Sequence, residues 1–185
     1  MIGYAFCGSF CTLTASLEFL RDLASHEQVL PIVSNIVYTT DTRFWKKDKF
    51  INEVTKITGR EPIHTVEDAE PLGPRVKLDS LIIAPCTGNT LAKLASGITD
   101  TPVTMAAKAH LRSDRPLLIA LASNDAMSSN LRNIASMLMR KNVYMCVMHQ
   151  DDPESKPHSL VWDSASLPIC YEKMKLGEQV RPLFI

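Results

Sequence analysis

The sequence predicts a doubly wound α/β sandwich, a parallel sheet covered by helices on both faces. Three observations predict it. Several short segments are apolar throughout rather than alternating, as strands buried on both faces are. They take turns with segments whose apolar residues recur at helical spacing, the connection that parallel strands require. No internal repeat or convincing linker interrupts the 185 residues, a length at which one domain buries roughly 70% of the surface its unfolded chain exposes. Residues 1–185 are therefore read as one domain, with 150–185 as a flap and a C-terminal tail.

Ile2 to Cys7 is the first strand and stops at Gly8-Ser9. Leu13, Leu17, Leu20 and Ala24 then recur at helical intervals. Val29 to Val33 is a second strand, ending at Ser34-Asn35. In DTRFWKKDKFINEVTKITG, the residues Phe44, Ile51, Val54 and Ile57 mark a helix that closes on Gly59, a C-cap candidate. Leu78 to Ala84 is the third strand. Leu91, Leu94, Ala95 and Ile98 form a stripe behind it, with Asn89 or Thr90 able to cap that helix. Thr101 to Leu111 is a further helix with Pro102 in its first turn. RPLLIALAS is a fourth strand, LRNIASMLMRKN a helix, and VYMCVM a fifth strand. HQDDPESKPHSLVWD is polar and broken by proline, a loop or flap, and the remaining tail is expected to cover a sheet edge.

Charge and cysteine usage narrow the function. Lys+Arg and Asp+Glu are equal at 20 each, which argues against a surface that coats a polyanion, so no nucleic-acid partner is expected. No apolar run reaches the roughly 18 residues of a membrane span, and MIGYAFCGSF reads as a strand rather than a basic leader. Five cysteines, an odd number, suggest reduced thiols in the cytoplasm. Cys7 and Cys11 have no second pair or nearby histidine to complete a zinc set, so no metal is expected.

Ligands of such sheets bind beyond the carboxyl ends of the strands. Four turns meet there: Cys7-Gly8-Ser9-Phe10, Ser34-Asn35, Pro85 to Thr90, and Ala122-Ser123-Asn124. Their small hydroxyl and amide residues let backbone N–H groups approach a phosphate, and helix N-termini add partial positive charge. The same residues also serve as ordinary caps and turns, which is the structural alternative. A dinucleotide is disfavoured, because the first turn has one glycine where the fingerprint asks for three, and Ser34 stands where a ribose-reading acid belongs. A mononucleotide such as FMN suits these turns better.

APCTGNTLAKLASGITD resembles the signature AP-x-(S/T)-x-NT-x-AK-x-A-x-G-x-x-D of the homo-oligomeric flavoprotein family that includes the flavin-dependent cysteine decarboxylases. Together with TPVTMAAKAHLR, the SND of ALASNDAM, and HQDDPESKPHSLVWD, it is similar to one branch of that family, the B subunits of dipicolinate synthases. The resemblance implies a Rossmann-like α/β/α sandwich assembled as trimers or dodecamers, with FMN near subunit interfaces. It implies that Gly8, Ser9 and Ser34 hold the FMN phosphate, and that Phe10 and Pro85 are also among the cofactor-binding residues. Thr87, Asn89 and Thr90 would run along the ribityl chain and ring, with Cys86 close to the flavin. Where the decarboxylases carry proline-alanine-methionine-asparagine, this chain has Ala122-Ser123-Asn124: Asn124 is kept and Ser123 replaces methionine. His64 is the counterpart candidate for the decarboxylases' catalytic histidine, although TVEDAEPLGPRVK separates it from the third strand.

The branch implies oxidation of a dihydro precursor to pyridine-2,6-dicarboxylate in the mother cell of a sporulating bacterium. The partner implied is a dipicolinate synthase A subunit that carries the NAD(P) chemistry. A small dicarboxylate needs cations. Lys108 and Arg112 lie four residues apart on one helical face, and in related prenyl-transferring flavoproteins a basic residue at the Arg112 position meets an anionic group. A solvated helix end is the alternative for this pair. Two other functions are compatible with the sequence: an FMN-dependent decarboxylase on the same scaffold, and a non-catalytic subunit that shapes its partner.

Overall fold

A computed structural model describes residues 1–73 and 75–185. Five strands run parallel in the order β2-β1-β3-β4-β5: β1 (Ile2–Phe6), β2 (Val29–Val33), β3 (Ser80–Thr87), β4 (Leu117–Ser123) and β5 (Val143–Met145). Two short strands, β6 (Met148–His149) and β7 (Leu160–Trp162), add antiparallel pairing, β7 against Ala122 and Ser123 of β4 and β6 against β7. The sheet is parallel in its body and mixed at one edge.

Alternation along each strand feeds two cores. Tyr4, Phe6, Ile82, Ala84, Leu118 and Ala120 point to the face covered by α1 (Leu13–His26), α3 (Lys47–Thr58) and α8 (Leu167–Lys175). Ala5, Cys7, Leu81, Ile83, Cys86 and Ile119 point to the face covered by α5 (Gly88–Ser96), α6 (Pro102–Leu111) and α7 (Leu131–Leu138). Each fully buried leucine, isoleucine or phenylalanine contributes about 1.5–3 kcal/mol of transfer free energy. The buried Tyr4 hydroxyl is satisfied by the Ser16 carbonyl (3.1 Å) and hydroxyl (2.9 Å), and the Ser16 hydroxyl donates in turn to the Ala84 carbonyl.

Several boundaries differ from the sequence reading. Phe44 lies before α3, half exposed, because the Thr42 hydroxyl accepts the backbone N–H groups of Phe44 and Trp45 and folds that stretch into a turn. The buried anchors of α3 are Phe50 and Val54, and Gly59 closes it at a φ of 69°. Two short helices, α2 (Asn35–Thr39) and α4 (Val66–Ala69), carry no periodic pattern that announces them. The segment VYMCVM breaks in two. β5 ends because the Gln179 side chain bonds both the N–H (2.8 Å) and the carbonyl (2.7 Å) of Met145, standing in for a further strand. The tail also bonds along β6, from Met148 N–H to the Leu183 carbonyl (2.8 Å) and from Ile185 N–H back to Met148 (3.0 Å). Among the described residues no helix is long and apolar enough to cross a membrane.

Candidate functional site

The site is assembled where β3 hands over to α5. β3 runs to Thr87, past the end at Ala84 that its aliphatic run suggests. Pro85 has no N–H for a central ladder, and the pairing with β4 slips there, from Ile83 opposite Ile119 to Cys86 opposite Leu121. The bulge brings Thr87 out at the mouth as the N-cap of α5. Its hydroxyl accepts the Thr90 N–H (3.2 Å), while the Thr90 hydroxyl donates to the Cys7 sulfur (3.4 Å). The cap is thus Thr87 rather than Asn89 or Thr90.

Gly88 follows because nothing larger fits. A Cβ there would strike the Ser123 hydroxyl and stand 2.6 Å from Asn130 Nδ2 and 2.9 Å from Asp125 Oδ1. Those groups form one network: the Ser123 hydroxyl and the Asn130 amide (2.8 Å) both donate to Asp125 Oδ1, and Asn133 donates to Asn130 Oδ1 (2.8 Å). The Ser123 hydrogen bond, foremost, and the Asn130 bond hold the Asp125 carboxyl below the usual range. Asp151 is held low as well, chiefly by Lys156, 2.8 Å away.

Two adjoining cavities open at this end of the sheet. The larger, of about 570 Å³, lies between the turn at Gly8, Ser9 and Phe10, the start of α5, the end of β4, and the side chains of Arg43, Phe44, Asp151 and Lys156. The smaller, of about 380 Å³, lies over Gly8, Ser34, Asn35, Thr87, Asn89 and Thr90. Both volumes fall in the range of small-molecule sites. Gly8, Thr87 and Asn89 line both, so the two form one elongated cleft.

A group with a phosphate at one end and a planar ring at the other fits this shape. Ser34 Oγ is buried and has no hydrogen-bond partner among the described residues, yet Ser34 lines the smaller cavity. The first turn of α5 lies beside it, where N–H groups have no helical acceptor and that of Thr90 is taken by the Thr87 hydroxyl. A Cβ on Gly8 would come within 2.7 Å of Ile36 Cγ2, so the floor between the two cavities is glycine-thin.

Most of the residues singled out in the sequence converge here. Gly8, Ser9, Phe10, Thr87, Asn89, Ser123 and Asn124 line the larger cavity, and Ser34 and Thr90 the smaller. Pro85 and Cys86 do not. Because the strand continues, Cys86 points into the core beneath α5, fully buried, and burial raises its thiol well above the ordinary value. Cys7 is likewise pushed up to about 11 by burial.

His64 lines neither cavity. Ile63 bridges to Ile32 at the sheet edge, and the His64 ring lies flat on Tyr38, centroids 3.8 Å apart. Pro74, in the segment that follows it, lies outside the described residues. Lys108 and Arg112 are also displaced. α6 starts beside the smaller cavity at Thr101 and carries them roughly 10–16 Å along its axis at 1.5 Å per residue. They line a separate cavity of about 420 Å³ with Arg140.

Sequence reasoning misses Arg43, Phe44, Asp125 and Lys156 as lining residues. Arg43 and Phe44 fall in a segment whose spacing reads as helical. The signal for Asp125 is its place two residues beyond Ser123, in the same turn at the end of the fourth strand.

The chain matches the family model described as Flavoprotein over residues 7–165. It is 38% identical to the B subunit of dipicolinate synthase from Bacillus subtilis (strain 168) across all 185 residues, covering 92% of that protein. The crystal structure of the dipicolinate synthase B subunit from Bacillus halodurans C superposes with a TM-score of 0.90 at 38% identity, over 100% of this chain and 95% of that one. An FMN-dependent cysteine decarboxylase, SpaF, shares the fold at a TM-score of 0.64 and 21% identity, over 92% and 96% of the two chains.

Proposed function

The chain belongs to the Flavoprotein family, and from that premise we propose that it is the FMN-binding subunit of a dipicolinate synthase. In this reading it takes part in oxidising a dihydrodipicolinate-type precursor to pyridine-2,6-dicarboxylate in a sporulating cell. A separate A subunit supplies the NAD(P)-dependent chemistry. The 38% identity to a B subunit along the whole chain supports the choice of reaction.

The observation that carries the cofactor assignment is the buried Ser34 hydroxyl beside the start of α5, without a hydrogen-bond partner among the described residues. Ser34 would donate to the FMN phosphate, with the N-terminus of α5 beside it. Gly8 would leave room for the ribityl chain between the two cavities. Phe10, Ser123 and Asn124 would flank the ring. FMN, when bound, supplies the acceptor for the electron pair leaving carbon. Because the product ring is aromatic, the oxidation is downhill and a strong base is not required. That agrees with the carboxyl of Asp125, which is held ionised by its donors and so is a weak base.

Ser34→Ala tests the assignment. A lost charge-assisted hydrogen bond is worth about 1.5–3 kcal/mol, so the FMN dissociation constant should rise roughly 10- to 100-fold. An unchanged constant would remove Ser34 from the phosphate site.

A further inference from the structure

We propose that Arg43, stacked on Phe44 at the outer wall of the cleft, is the residue that recognises the substrate's carboxylates, with Lys156 as the second cation. The proposal rests on the reading of the cleft as the site of a flavin-dependent oxidation, and it names the subsite for the carboxylated ring.

The charges of the cleft lead to it. Its lining carries two cations, Arg43 and Lys156, and two carboxylates, Asp125 and Asp151. Asp125 is committed to Ser123 and Asn130, and Asp151 to Lys156. Arg43 makes no hydrogen bond or ion pair among the described residues. Its guanidinium instead stands 4.8 Å from the centroid of the Phe44 ring. An unpaired guanidinium in a concave site is a ready partner for a carboxylate, whose two oxygens match its fork.

The pair is also held in place. Both residues sit in the turn fixed by the Thr42 hydroxyl, and the Thr42 N–H bonds the Trp45 carbonyl (2.9 Å). Trp45 pins that turn to the molecule. Its indole donates to Thr14 Oγ1 (3.2 Å), and its ring meets the fully buried Phe50 edge-on at 5.6 Å. An exposed arginine on a free loop would carry no meaning, but this one projects from an anchored turn into a cavity. Phe44, 48% exposed, presents an aromatic face there that a planar ring can cover. A dianionic ligand would compete with Asp151 for Lys156, so the second carboxylate would be gripped as that ion pair opens.

Lys108 and Arg112 cannot serve this role within one chain, because they lie at the far end of α6 in another cavity.

Calorimetric titration with pyridine-2,6-dicarboxylate, on protein with and without saturating FMN, tests the proposal, with FMN affinity measured separately for each variant. Arg43→Gln should raise the dicarboxylate dissociation constant about 10-fold or more, and Arg43→Lys less, as expected for loss of a charged hydrogen bond. FMN affinity should stay within about two-fold. Lys156→Gln should act in the same direction. The uncharged pyridine-2,6-dicarboxamide should not respond to Arg43→Gln, but should weaken with Phe44→Ala. Unchanged dicarboxylate affinity in Arg43→Gln overturns the proposal, whatever Arg112→Gln does. So does an equal loss of FMN, or a wild-type protein that ignores the probe. If FMN fails to bind while the Arg43-dependent response persists, the flavin assignment falls and this one stands.

Discussion

Ser34 buries a hydroxyl that bonds to nothing among the described residues, a condition that costs about 1–3 kcal/mol in a folded protein. A phosphate oxygen would relieve it. The same cleft makes the cysteines informative. Cys11 is exposed and lines the larger cavity, whereas Cys7, Cys86, Cys146 and Cys170 are buried. Thiolate chemistry requires access and ionisation, and Cys7 at about 11 offers neither. Native alkylation should therefore modify Cys11 first, and FMN should slow it; mass spectrometry with and without FMN reads this directly. Asp125 gives a pH signature. Its carboxyl is depressed by its donors, so its contribution to stability is present above the ordinary value of about 3.9 and is lost as pH falls through the lower folded value. Melting temperature should fall less between about pH 5 and pH 3 in Asp125→Asn than in the wild type. Ser34, Gly8 and Ser123 are legible in the sequence because each closes an apolar strand, and in such sheets the turns beyond the carboxyl ends of the strands meet at one place. Lys108 and Arg112 line a separate cavity of this chain, which the sequence does not reveal: helical spacing shows which face two residues share, but not which end of the helix meets a given cleft.

At the scale of elements, the β3–α5 junction joins stability to function. The strand is legible from its aliphatic run, but its last three residues are not, because a bulge at a proline depends on the neighbouring strand's register. Thr87→Ala removes the N-cap and should cost about 1 kcal/mol, a fall in melting temperature of roughly 2–4 °C for a chain of this size. Gly88→Ala has a different signature. The added methyl collides with Ser123, Asp125 and Asn130, so it should displace the wall of the cleft and weaken FMN binding more than Thr87→Ala does. A flavin titration of both variants, beside their melting curves, separates the two effects. The split of VYMCVM into β5 and β6 is invisible for a similar reason, since the group that ends β5 is the side chain of Gln179, 34 residues away.

For the whole molecule, the apolar, non-alternating strands reveal the architecture, because a sheet covered on both faces has no polar side to record. They do not reveal the antiparallel edge, where strands of two and three residues are too short for any pattern. Phe50 shows how the cores support the site: it packs against Phe6 and against Trp45, which anchors the turn bearing Arg43. Phe50→Ala should destabilise the fold by about 3–5 kcal/mol, seen in denaturant unfolding. The central claim concerns the cleft that all these elements frame, a cradle for a flavin with one phosphate. Titrating the folded protein in parallel with FMN and with riboflavin, which lacks the phosphate, tests it most directly. One FMN per chain should bind, at least about 10-fold more tightly than riboflavin, the difference expected for charged hydrogen bonds at Ser34 and the α5 N-terminus. Equal affinity for the two, or no binding of either, would contradict it.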